Sequence, residues 1–217
     1  MNRRDVLAGT GVVGLASLSG CLGVLGLDEH ESAPAGVDQS VLEETGYQEI
    51  RTEPLGVDEN VDLLLYSETV TVTNYLTEYD KSVDLGPLGS LRAAVFNVLT
   101  TPQVDVLGQE LNPIEEMSTE EVMELVKNNY DGFGDVTHEA DESVSVLGQE
   151  ATMSRFSASA KFDGADLDVF IHVTEAIQTS EDHLVAIGVY PEQTQGREEA
   201  NVFSLVEGVI EDASGAE

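Results

Sequence analysis

From Ser143 to Tyr190 the chain reads as strand after strand, and that run decides which folds are open to it. Ser143–Leu147, Ala151–Phe162, Leu167–Ile177 and His183–Tyr190 each have the apolar and β-branched content of a strand. Only short breaks separate them. Asp163-Gly164 is a hairpin signal, because a two-residue turn with positive φ at both central positions is least strained with such a pair. Thr179–Asp182 serves the next turn. Upstream, Thr69–Leu76 (TVTVTNYL) alternates as a half-buried strand does. Leu91–Leu99 (LRAAVFNVL) is a second, richly apolar strand. Pro102 interrupts before Val104–Leu107, which is an edge piece or a new strand.

Two helices punctuate the strands. At Met117-Ser118-Thr119-Glu120-Glu121-Val122, Ser118 is placed to cap and Glu121 to close a capping box, with Met117 and Val122 at the staple positions. Val122, Leu125 and Val126 then mark one apolar face, and Gly132 follows the end. The second helix spans Arg197–Asp212, where Val202, Leu205, Val206, Val209 and Ile210 form an amphipathic stripe. Strands, helix, a meander of strands and a helix predict an α+β fold with a largely antiparallel sheet flanked by helices. One internal echo stands out: Val104–Glu110 (VDVLGQE) and Val144–Glu150 (VSVLGQE) both read as strand, tight turn at Gly, strand.

Charge bounds the partners. The 217 residues hold 42 Asp and Glu against 9 Lys and Arg, a formal net charge of −33. Nucleic-acid binding needs a basic footprint, and attachment to anionic lipid heads needs a polybasic one; neither is present. The acids are spread along the chain, which describes a solvated surface over a folded body rather than an acidic tail. Such a surface repels itself, and screening shrinks that repulsion from a range of about 10 Å at 0.1 M salt to about 3 Å at 1 M. The composition therefore suits molar salt, as in a halophile.

The first residues form a targeting segment. Arg3 and Arg4 precede an uncharged stretch, Val6–Leu27, that is diluted by Gly, Ser and Thr. The pair matches the twin-arginine address read by the Tat export machinery. Leu18-Ser19-Gly20-Cys21 then resembles a lipobox, in which small residues admit a signal peptidase and the thiol takes a thioether-linked lipid. The single Cys of the chain falls at that place. The rival reading is an uncleaved membrane helix over Val6–Leu27, just long enough to span a bilayer. The favoured division is a signal peptide over 1–20, a lipidated tether over 21–40, one α+β domain over 41–213 and a short tail over 214–217. Removing the signal takes Arg3, Arg4 and Asp5 with it and leaves 7 basic and 41 acidic residues.

Together with Phe96–Pro102 (FNVLTTP), Leu111–Ile114 (LNPI) and Ile187–Pro191 (IGVYP), the signal and lipobox resemble an uncharacterised family of haloarchaeal surface lipoproteins, a domain of unknown function. The element order is also similar to PsbP-like domains, in which an antiparallel sheet lies between helices. That resemblance implies a binding or assembly module and carries no catalytic residues across.

A search for chemistry yields little. His30, His138, His172 and His183 form no metal-ligand pair at helical spacing, and His172 and His183 fall too far apart along neighbouring strands to meet. They read as isolated surface or cross-strand residues. Asp163–Asp168 hints at calcium but lacks the spacing and the closing bidentate Glu. No nucleophile elbow, phosphate loop or dinucleotide fingerprint appears. No catalytic residue, metal site or cofactor is assigned. The expected function is a non-catalytic, membrane-anchored module on the extracellular face of the cell membrane, with Cys21 as the lipidation site, Arg3 and Arg4 as the export signal and its protein partner open. The alternative is a surface hydrolase whose carboxylates are hidden among the many acids.

Overall fold

The computed structural model describes residues 29–63, 66–106, 109–110, 113–129, 133–162, 165–211 and 213. Arg3, Arg4 and Cys21, like Asp163 and Gly164 of the candidate calcium loop, lie outside the described residues. The described chain opens with β1 (Glu29–Glu31), β2 (Gly36–Val37) and α1 (Gln39–Thr45). A three-stranded meander follows: β3 (Gln48–Leu63), β4 (Tyr66–Asp84) and β5 (Ser90–Pro102). β6 (Asp105–Val106) and β7 (Gln109–Glu110) make a small hairpin, and α2 covers Thr119–Asn129. A second meander comprises β8 (Thr137–Val146), β9 (Gln149–Phe162), β10 (Ala165–Thr174), β11 (Ile177–Gln178) and β12 (Asp182–Pro191). The described fold closes with α3 (Gln195–Glu207) and β13 (Val209–Ile210).

The two meanders join through β12, giving the order β3-β4-β5-β12-β10-β9-β8. Every pair along that path is antiparallel; the short β1 runs parallel to β4. The architecture is therefore α+β with a mainly antiparallel sheet. β12 is the centre of the core, with all ten residues buried. Both of its faces are covered, which is why His183–Tyr190 is so uniformly apolar rather than alternating. Gly188 and its even-numbered neighbours face α3: a Cβ on Gly188 would lie 2.7 Å from Val202 Cγ1. Ile187 points to the other face, beside Val122 and Val126 of α2.

The capping box at Ser118 is present in full. The Glu121 N–H donates to Ser118 Oγ at 3.3 Å, and the Ser118 N–H donates to Glu121 Oε2 at 2.9 Å. The sequence echo corresponds to two hairpins of like register, Val106↔Gln109 and Val146↔Gln149, in different sheets. In the second, Leu147 (φ 51°) and Gly148 (φ 77°) both take the positive φ that the tight turn demands.

Three expectations are corrected. The tether does not run to Ser40, because the chain joins the fold from Glu29. Ser32, Ala35 and Val37 are buried, Thr77 Oγ1 donates to the Ala35 carbonyl at 2.7 Å, and the Ala33 N–H donates to the Asp182 carboxylate at 2.9 Å. Sparse apolar periodicity hides this segment because hydrogen bonds to and from the sheet, with a few small buried side chains, fasten it rather than an apolar stripe. The last helix ends at Glu207, and Val209 and Ile210 instead form a strand pairing with Val37 and Gly36, so the two ends of the described fold clasp each other. Leu125, placed on the inward stripe of α2, is exposed, while Val122, Met123 and Val126 are buried.

Candidate functional site

The helices cover the sheet unequally. α1 and α3 lie on the face of Tyr79, Phe96 and Gly188, whereas α2 lies on the opposite face over β9 and β10. Thr119 Oγ1 and the buried Ser154 Oγ, 2.6 Å apart, fix its first turn there. On that same face α2 reaches no further than Ile187 of β12; β3, β4 and β5 lie beyond it, and a groove results. α2 forms one wall and the β3–β4 ribbon the other. Leu76, Val95, Leu99, Ile187 and Val189 line it from the sheet, Val122 and Val126 line it from α2, and Phe133 and Phe162 flank one end. It comprises two adjoining hollows of about 290 and 530 Å³.

The large apolar side chains exposed among the described residues are Ile50, Leu55, Val57 and Leu125, and all four line this groove. A singly exposed Leu is ordinary, but four large apolar side chains gathered on one concavity of an otherwise acidic chain make it the candidate site. Two carboxamides stand among them. Asn97 lies mid-strand in β5 and is 7% exposed; Asn74 lies on β4. Neither Oδ1 has a hydrogen-bond partner among the described residues.

The carboxylates at the rim are engaged by arginines. Arg51 reaches Glu78 at 2.5 Å and Glu53 at 3.3 Å, and Arg92 pairs with Asp80. Across the groove wall, Asp141 Oδ1 accepts from Ser154 Oγ at 2.6 Å and pairs with His138 Nε2 at 2.7 Å. The carboxylate thus stands between the hydroxyl and the imidazole. A nucleophile needs the base beside it, and Ser154 is fully buried beneath α2, so this chain of contacts anchors α2 rather than activating an alcohol.

The other face holds the buried charges. Glu198 of α3 is fully buried and takes Lys81 Nζ at 3.0 and 3.1 Å, Asn201 Nδ2 at 2.9 Å and Arg197 Nε at 3.0 Å. Burial pushes its carboxyl up, but these donors and the Lys81 charge outweigh that and hold it below its ordinary value. The Tyr47 hydroxyl donates to the same carboxylate, and burial with the Glu198 charge drives that phenol far upward. This cluster locks α3 and α1 onto β4.

His172 and His183 do not meet, as the sequence spacing predicts. They are fully buried rather than at the surface, and on opposite faces. His172 sits opposite Gly188 on the α3 face, its Nε2 2.9 Å from Tyr190 Oη. His183 sits opposite Thr101 on the α2 face, 3.8 Å from Glu115 Oε2. No group of three or more His, Cys, Asp or Glu among the described residues is arranged to hold a metal ion, and no helix among them is long and apolar enough to cross a membrane.

Sequence reasoning misses the groove because Ile50, Leu55 and Val57 are scattered through an acidic segment, QEIRTEPLGVDEN, with no clean period. The readable signal is Asn97, a carboxamide in the midst of LRAAVFNVL, where a purely structural strand carries an aliphatic residue. No curated protein sequence matches the chain. A model of a domain of unknown function, DUF6517, matches residues 34–210. Those limits coincide with the β2–β13 clasp that closes the fold. The match spans most of the 217 residues, and the chain belongs to the DUF6517 family.

Proposed function

We propose that this chain is a lipid-anchored, extracellular lipoprotein of a halophile that acts as a non-catalytic binding or assembly module, with the groove over β3, β4, β5 and β12 as its binding site. The observation that carries this reading is the gathering of Ile50, Leu55, Val57 and Leu125 around one concavity. In molar salt, screening removes long-range electrostatic steering while apolar burial is retained or strengthened, so an apolar groove is the recognition surface such a medium favours. The Arg3-Arg4 pair and the Leu18–Cys21 lipobox support Tat export and a lipid on Cys21. A sheet with helices on both faces supports the architectural likeness to PsbP-like domains.

Two variants test the two halves of the reading. Cys21→Ser should release the protein from the membrane into the medium; retention would favour the uncleaved helix. Leu55→Glu combined with Leu125→Glu should abolish saturable binding of a neutral environment-sensitive dye and leave the melting temperature within a few degrees, since both side chains are exposed. Unchanged dye binding would remove the groove as the site.

A further inference from the structure

The lining of the groove narrows what it holds, on the reading that it is the binding site. Asn97 stands between Val95 and Leu99 on its floor, more than nine-tenths buried, with its carboxamide oxygen unpartnered among the described residues. Asn74 presents a second such oxygen in the adjoining hollow. Burying an acceptor without a donor is unfavourable, and an occupant of the groove that donates to Asn97 Oδ1 would remove that cost. The surrounding charge adds a sign. Glu53, Glu78 and Asp80 line the same hollows, and Arg51 is already shared between the first two of them. The groove therefore offers oxygen acceptors on an apolar floor beneath an acidic rim.

We propose that the groove takes one molecule of a small neutral amphiphile, an apolar body carrying a hydroxyl or amide N–H that donates to Asn97 Oδ1. An anionic head is disfavoured there, because it would face the lone pairs of Asn97 and the carboxylates of Glu78 and Asp80, whose arginine partners are already engaged. A flat bilayer surface cannot follow the floor to Asn97, so the occupant is a monomer. Hollows of about 290 and 530 Å³ suit such a ligand, since small-molecule sites run to roughly 300–1,000 Å³ with mostly apolar walls and a few orienting polar groups.

The full chain in molar salt at pH 7, loaded with a neutral fluorescent dye, is titrated with 1-nonanol, octyl methyl ether and nonanoate. The alcohol and the ether have the same number of heavy atoms, and the ether lacks the donor. Nonanol should displace the dye about tenfold more tightly than either competitor, the usual weight of one hydrogen bond to a buried acceptor. In Asn97→Leu the preference over the ether should fall to near unity while ether binding persists. Equal affinity of the three, tighter nonanoate, a preference that survives Asn97→Leu, or displacement by an apolar peptide alone would overturn the ligand class and leave the groove as a binding site. Failure of the dye itself to bind would overturn both readings. The ligand series in the unaltered chain tests the class independently of whether the variant folds.

Discussion

At the scale of single residues, His172 sets a pH limit on the fold. Burial holds its imidazole neutral and lowers its pKa from 6.5 to about 4; the Glu199 charge pulls the other way and the Arg155 charge reinforces burial. Its surroundings are the Tyr190 hydroxyl and the rings of Tyr190 and Phe203. A depressed pKa means that the unfolded chain takes up the proton first. The contribution of this neutral imidazole is therefore full above pH 6.5 and is lost as pH falls from 6.5 to 4, by roughly 3 kcal/mol at about 1.4 kcal/mol per pH unit. Urea midpoints at fixed salt should fall with pH more steeply in the native chain than in His172→Phe, where His183, also lowered by burial, still contributes. An identical slope in both would mean that His172 is not the group responsible. The burial of His172 is not readable from sequence, because it depends on which strand lies beside it and which helix lies above; Asn97 is conspicuous as a carboxamide in an apolar strand, but the groove it faces is not. The sequence does place both on strands, and it contains no cue that α3 covers one face where the other is left open.

Among elements, legibility follows local chemistry. The Ser118–Glu121 box starts α2 one residue after the cap, as the pattern predicts, because both partners lie within one turn. β3 escapes notice. Its Pro54 and its acids argue against a strand, yet it lies at the sheet edge, where Pro is tolerated and β4 supplies the ladder. The β12–α3 contact depends on Gly188, whose missing side chain lets Val202 approach the sheet. Gly188→Ala puts a carbon 2.7 and 2.8 Å from the two Val202 methyls, and Val202 is fully buried. Overpacking of this kind typically costs about 1–3 kcal/mol. The melting temperature should drop accordingly, and adding Val202→Ala should cost less than the two single changes summed, since the new methyl fills the space vacated. Strict additivity would show that α3 moves freely away from β12.

For the whole molecule, the formal charge of −33 governs how stability responds to salt. Surface ion pairs cannot offset it: Arg51–Glu53 and Lys161–Asp166 are exposed pairs, each worth about 0–1 kcal/mol, and bases are few. Stability should rise from about 0.1 M to about 3 M sodium chloride as screening shortens the repulsion. Sulfate should add a further increment by strengthening apolar burial. A melting temperature flat across that range would mean that the acidity serves cation or partner binding instead. The open half of one sheet face is likewise set at this scale, by how the three described α-helices are shared over the nine-stranded sheet. The most direct test of the groove as the working surface is amide chemical-shift mapping of the full chain titrated with 1-nonanol in molar salt. Saturable shifts should concentrate at Leu76, Asn97, Val126 and Ile187 and leave Tyr47, His172 and Glu198 on the opposite face unmoved. Shifts centred on the α1–α3 face, or no saturable site, would contradict the account.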